Sequence, residues 1–342
     1  MGNKKRAFLN FIFLAGVFLL TTRLVLKGED LGSIWETMSA AKKGYLFVGM
    51  ACVVLFILGE SVIIYYMLRS LDTPVRFGSC AMYSFVGFFF SCITPSASGG
   101  QPMQIYYMKK DRLPIPVTTQ VLLVVTITYK AVLVVIGLLT AFFGGGFLRR
   151  YMGDFTWVFY MGLLLNVICV ALMLFLVFAP GLAKNLAVGG LRLLERFRLL
   201  KPDEDRLQRL EDSMDQYHAT ADFWKEHREI IPRVFALTFV QRCFLFTVTY
   251  WVYRALGLHA HGLFAVTLLQ AAIAVSVDML PLPGGMGISE SLYMVMFLPV
   301  FGRLMLPSML LSRGIAYYGQ MLLSAFMTCI AQLTIGRVEA YK

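Results

Sequence analysis

Six ionisable side chains stand inside long apolar runs of this sequence: Glu60, Lys130, Arg242, Asp278, Glu290 and Arg313. An ionised group in hydrocarbon costs about 2.5–3.5 kcal/mol even on insertion scales, so each needs a partner or a solvated site. Two kinds of chemistry meet that need. The carboxylates and cations can pair with one another, for example Glu290 or Asp278 with Arg242 or Arg313. Alternatively, Lys130, Arg242 and Arg313 line a wet cavity and bind an anion. Phosphate suits them, because Arg offers a fork that matches its oxygens and Lys a point charge. Glu60, Asp278 and Glu290 would then couple protons or act as counter-charge to a cationic group such as an aminoacyl ammonium.

Two Pro/Gly-rich breaks must position these groups. One is Cys92-Ile-Thr-Pro-Ser-Ala-Ser-Gly-Gly-Gln-Pro102, and the other runs from Ser276 through Asp278 and a Pro-Gly-Gly-Met-Gly turn to Glu290. Pro removes a backbone donor and Gly has low helix propensity, so neither stretch is a continuous helix. At membrane depth a broken backbone survives only where protein covers it or where it lines a polar cavity. Paired interruptions in corresponding halves of a membrane chain point to a transporter-type site, and helix starts after the Gly-Gly pairs would offer amides and a positive dipole end to an anion. Ser96, Ser98 and Ser289, with no His nearby to activate them, are expected to satisfy freed backbone groups.

The surrounding composition is that of a lipid-dissolved chain. Of 342 residues 58% are hydrophobic and only 15% charged, where a soluble domain has about 25%. The formal charge of +11 is spread over short loops, which fits membrane topology and anionic lipid surfaces, and no nucleic-acid partner is expected. The six cysteines sit singly in apolar runs and read as small packing residues, with no metal-ligand spacing. His259 and His261 read as a plain loop pair. No phosphate-binding G-x-x-x-x-G-K-[ST] loop is present, which argues against ATP drive from within this chain, and no cofactor is implied.

Spans need about 20 apolar residues. The sequence predicts an uncleaved first span at Phe8–Leu26, then Tyr45–Leu68, and Phe77–Ile93 with a return arm Met103–Met108. Val117–Phe143, a Gly144-Gly-Gly146 turn and Phe155–Phe178 follow. After a polar segment come Ile231–Leu256, Leu263–Leu280 with a return arm Ile288–Phe301, and Leu306–Ile335. Placing basic clusters inside puts both termini in the cytoplasm of a multi-pass plasma-membrane protein, with Arg149-Arg150 outside as an exception. The first break is then a hairpin entering from the cytoplasm and the second one entering from outside.

The expected fold is therefore all-α and polytopic, with about six spans: an inverted repeat of about three transmembrane helices plus one re-entrant hairpin per half. The first half covers 1–146 with its hairpin at 77–110, and the second covers 155–342 with its hairpin at 263–301. A cytoplasmic amphipathic connector of two helices lies at 183–229. Charge spacing agrees: Lys130 follows Gly100 by 30 positions and Arg313 follows Gly285 by 28, while Glu60 precedes Gly100 by 40 and Arg242 precedes Gly285 by 43.

At Thr94-Pro-Ser-Ala-Ser-Gly-Gly-Gln101 and Leu280-Pro-Leu-Pro-Gly-Gly-Met-Gly-Ile-Ser-Glu290 the chain resembles the flippase-like membrane domain of lysylphosphatidylglycerol synthetases, the multiple-peptide-resistance-factor proteins. The resemblance spans nearly the whole chain. It implies movement of a lipid with an anionic or aminoacylated head group between leaflets, and by position it implicates Pro95, Gly99, Gly100, Pro283, Gly284, Gly285, Gly287 and Glu290. Gln101 joins these as a substrate-binding candidate. The sequence stops at Lys342 without the soluble acyltransferase-like domain of the synthetases, so transferase activity is not expected unless a separate lipid-synthesising enzyme supplies it. A polyprenyl-phosphate-linked lipid is a second cargo, and transport of a small organic anion is the rival function.

Overall fold

The computed structural model describes residues 31–94, 97–178, 229–280 and 287–335, with positions 189 and 227. The expected span Phe8–Leu26, the connector apart from positions 189, 227 and 229, and Pro95, Pro283, Gly284 and Gly285 lie outside the described residues. Those described form helices and connecting turns, with no strand. In order they are α1 (Leu31–Ala40), α2 (Lys43–Ser70), α3 (Phe77–Ile93), α4 (Gly100–Lys110), α5 (Ile115–Phe143), α6 (Gly145–Met152), α7 (Thr156–Phe178) and α8 (Ile230–Ala255). They continue with α9 (Leu263–Val277), α10 (Ile288–Phe301), α11 (Met305–Arg313) and α12 (Gln320–Thr334). Among the described residues five stretches are long and apolar enough to cross a membrane: Lys43–Ser70, Ile115–Phe143, Gly145–Phe175, Ile230–Ala255 and Ile288–Thr334. The last is two arms, because Gly302 turns the chain with φ 55° and Tyr293 on α10 then meets Ser308 and Ser312 on α11.

The apolar composition leaves little for a one-sided amphipathic face to do, so helices are matched by small residues and buried polar contacts. Helices α3 and α4 fold back on each other: Tyr83 near the start of α3 bonds Asp111 just after α4, and Gln104 packs on Gly87. Helices α9 and α10 do likewise, since the Tyr253 ring touches both His261 before α9 and Phe301 at the end of α10. The open end of the α3–α4 hairpin sits by the C-terminal ends of α2 and α12, through Tyr65–Phe77 ring contact and a Tyr107–Gln332 bond of 2.6 Å. The open end of the α9–α10 hairpin sits at the opposite end of the bundle, where α2 begins: the Lys42 amide there donates to the Ala255 carbonyl at 2.9 Å.

The Gly144–Gly146 turn expected from sequence is a short helix instead. Only Gly144 caps α5; Gly145 opens α6, which buries Leu148 and Met152 and ends at Gly153 with φ 51°. Between α11 and α12 the backbone widens into a π turn over Gly314–Gly319. Among the cysteines, Cys52, Cys80 and Cys92 are buried, but Cys329 is exposed and so does not pack a core.

Candidate functional site

All six charged residues that stood alone in the apolar runs line one cavity of about 550 Å³, although they come from six different elements. Gln101, Ser98 and Ser289 line it too. The cavity lies between the two breaks.

The second break is fastened by two ion pairs. Asp278, one residue past α9, accepts from Lys130 and from the Tyr129 hydroxyl, so the middle of α5 anchors the entry to the break. Glu290 sits in the first turn of α10 and pairs with Arg313, whose Nε donates to Oε1 at 2.7 Å. The other oxygen, Oε2, accepts from the Gly287 amide at 2.6 Å and the Ser289 hydroxyl at 3.0 Å. The start of α10 thus already holds an anion, its own carboxylate. Gly287 has φ 87°, a conformation that favours glycine.

The first break is tied differently. Thr94 donates to the Phe90 carbonyl at 2.6 Å and accepts from the Gly99 amide at 2.9 Å. Backbone satisfaction expected of three serines therefore falls here to a threonine: Ser98 is exposed to the cavity, Ser289 serves Glu290, and Ser96 lies outside the described residues. A Cβ on Gly100 would meet Ser91 Oγ and approach the Gly87 carbonyl to 2.8 Å, and one on Gly99 would reach Thr94 Cγ2 at 2.6 Å. The Gly-Gly pair lets α4 start in contact with α3. Across the cavity the Tyr317 hydroxyl, inside the π turn, donates to the Cys92 carbonyl at 2.8 Å and ties the two halves together. No sequence signal separates Thr94 or Tyr317 from their neighbours.

Arg242 is set apart from the other cations. Its guanidinium lies 3.5 Å from the centroid of the Tyr129 ring and 4.9 Å from that of Phe56, and its buried Nε has no hydrogen-bond partner among the described residues. No carboxylate among them is within ion-pair distance of it, while Lys130 and Arg313 each have one. Glu60 accepts from Gln104 Nε2 at 2.7 Å. With three acids and three bases the cavity is formally balanced, so its capacity for an anion concentrates at Arg242 and its capacity for donors at Glu60.

A family model described as the lysylphosphatidylglycerol synthase TM region matches residues 8–324. No curated protein matches the chain. The chain belongs to that family, is a multi-span membrane protein, and has a function related to membrane phospholipid.

Proposed function

We propose that this member of the lysylphosphatidylglycerol synthase TM-region family is a lipid translocase that moves an anionic or aminoacylated phospholipid between leaflets. The head group crosses the polar cavity while its tails stay in the bilayer. The observation that carries this reading is the convergence of six costly intramembrane charges from six elements on one cavity between two backbone breaks. Arg242, stacked but unpaired with any described carboxylate, is the phosphate ligand, and the two ion pairs hold the second break in place.

In this reading the α3–α4 and α9–α10 hairpins are re-entrant and enter from opposite leaflets. The helix partners support an inverted repeat: α2 packs on α3 as α8 packs on α9, and α3 meets α12 as α9 meets α5. The chain itself performs no transferase chemistry, and an aminoacylated cargo would come from a separate lipid-synthesising enzyme. Both termini face the cytoplasm of the plasma membrane.

Proteoliposomes carrying a head-group-intact, chain-labelled fluorescent phosphatidylglycerol test the reading. The expected result is exchange between leaflets faster than in empty vesicles. Arg242→Gln should slow it at least about tenfold, the factor for losing one charged hydrogen bond worth roughly 1.5 kcal/mol or more. Exchange no faster than in empty vesicles overturns the proposal.

A further inference from the structure

We infer that the arm of the cavity between α2, α4 and α8 is a subsite for a sugar or cyclitol ring joined to the phosphate that Arg242 holds. The inference rests on the translocase reading and names the head group that this reading leaves open.

Three glutamines carry it. Gln104 Nε2 donates to Glu60 Oε1 at 2.7 Å, Gln241 Nε2 donates to the Phe56 carbonyl at 2.9 Å, and Gln101 Nε2 donates to Thr126 Oγ1. The Phe56 carbonyl can only accept, the Thr126 hydroxyl proton already goes to the Leu122 carbonyl at 2.9 Å, and Glu60 accepts with one carboxyl oxygen. The amides are therefore oriented by chemistry, and all three present a carbonyl oxygen with no partner among the described residues. The free oxygen of Glu60 is a fourth acceptor. Gln101 and Gln104 are one turn apart on the same face of α4, and both line the cavity with Gln241 and Glu60.

The seats are built. A Cβ on Gly59 would come within 2.8 Å of Gln241 Cγ, and one on Gly87 within 2.5 Å of Gln104 Cδ, so bare backbone on α2 and α3 makes room for the glutamines. An array of acceptors reads donors. An ammonium is the poorer fit, because Asp278 and Glu290 are committed to Lys130 and Arg313 and only Glu60 is left to balance it. A glycerol brings two hydroxyls to four acceptors, whereas a sugar or cyclitol ring brings four or five. Next to Arg242, such a ring on a phosphate satisfies both halves of the arm.

Binding of dioctanoyl lipids to the purified full chain tests this. Phosphatidylinositol (a cyclitol ring on phosphate) should bind at least about tenfold more tightly than phosphatidic acid, the factor for two or more neutral hydrogen bonds. It should also bind ahead of phosphatidylglycerol and phosphatidylethanolamine. Gln104→Met and Gln241→Met should each shrink that preference severalfold while leaving phosphatidic acid binding nearly unchanged. Gln101→Leu, on an exposed side chain, keeps the test open if a buried variant elutes as aggregate. Glu60→Gln, which keeps an acceptor but loses the charge, should retain most of the preference. Equal binding of all four lipids, tightest binding of phosphatidylethanolamine, or a ring preference indifferent to the glutamines overturns the subsite. Vesicle exchange separates the two readings: lipid movement with no ring preference sinks the subsite alone, and ring preference without movement sinks the translocase.

Discussion

At the scale of residues, four of the six charges that line the cavity form pairs that hold the bundle, while Arg242 and Glu60 have no ion-pair partner among the described residues. Lys130 with Asp278 and Arg313 with Glu290 are pairs between partners 148 and 23 positions apart, joining α5 and the end of α11 to the two flanks of the second break. Removing one partner of a buried pair strands the other, which costs about 3–5 kcal/mol, whereas replacing both with apolar groups of similar size is often neutral. Lys130→Met should therefore lower the melting temperature of the detergent-solubilised protein sharply, and Lys130→Met combined with Asp278→Leu should recover most of the loss. A double variant no better than the single one would mean that Lys130 does not pair with Asp278. Such charges are conspicuous in sequence because hydrocarbon penalises them. Their pairing is not, since it depends on which helix faces cross, and that is fixed by packing over distances no local pattern encodes.

At the scale of elements, close approach rather than hydrophobicity sorts the helices. Gly162 on α7 lies against α9 so tightly that a Cβ would stand 2.5 Å from the Val275 carbonyl and 2.7 Å from Ser276 Cα, both backbone atoms that cannot swing aside. Gly145, at the start of α6, has open space around it. Gly162→Ala should thus destabilise by about 1–3 kcal/mol through overpacking, and Gly145→Ala should be neutral or stabilise by up to about 1 kcal/mol. Thermal melts of the two variants check this, and equal effects would contradict the packing of α7 on α9. The long helices were readable because Pro, Gly and charge clusters bound their apolar runs: Phe77–Ile93 and Ile288–Phe301 are bounded in the structure as in the sequence. Helices α1 and α6 were not, being short pieces between spans. The π turn at Gly314–Gly319 adds one residue to an otherwise apolar helix, too small a change in period to register, yet it presents Tyr317 to Cys92.

At the scale of the molecule, the two hairpins open toward opposite ends, and the basic residues do not by themselves say which end is which. Arg69, Arg76, Lys109, Lys110, Arg112 and Arg233 gather at the end where α3–α4 opens; Lys42, Lys43, Arg149, Arg150, Arg254 and Arg303 gather at the other. Among the described residues the two ends are thus matched in Lys and Arg, so the positive-inside bias must come from the segments flanking them, above all the basic stretch from Arg192 to Arg209. In sequence that stretch precedes α8, whose start lies on the same side as Arg69 and Lys110, because Arg233 near the start of α8 donates to Tyr66 near the end of α2 at 3.2 Å. If the bias acts as proposed, single cysteines introduced into a cysteine-free chain should label on opposite faces of intact cells. A cysteine at Arg303 or Lys43 should react with an impermeant maleimide added outside, and one at Lys110 or Arg112 only after permeabilisation. Labelling of both sets from one side would contradict hairpins that open at opposite ends. Reversal of the two sets would leave the bundle intact but, under the proposed function, would put the acceptor-lined arm on α4 in a hairpin entered from the other leaflet, and would change the side from which a head group would first meet Arg242.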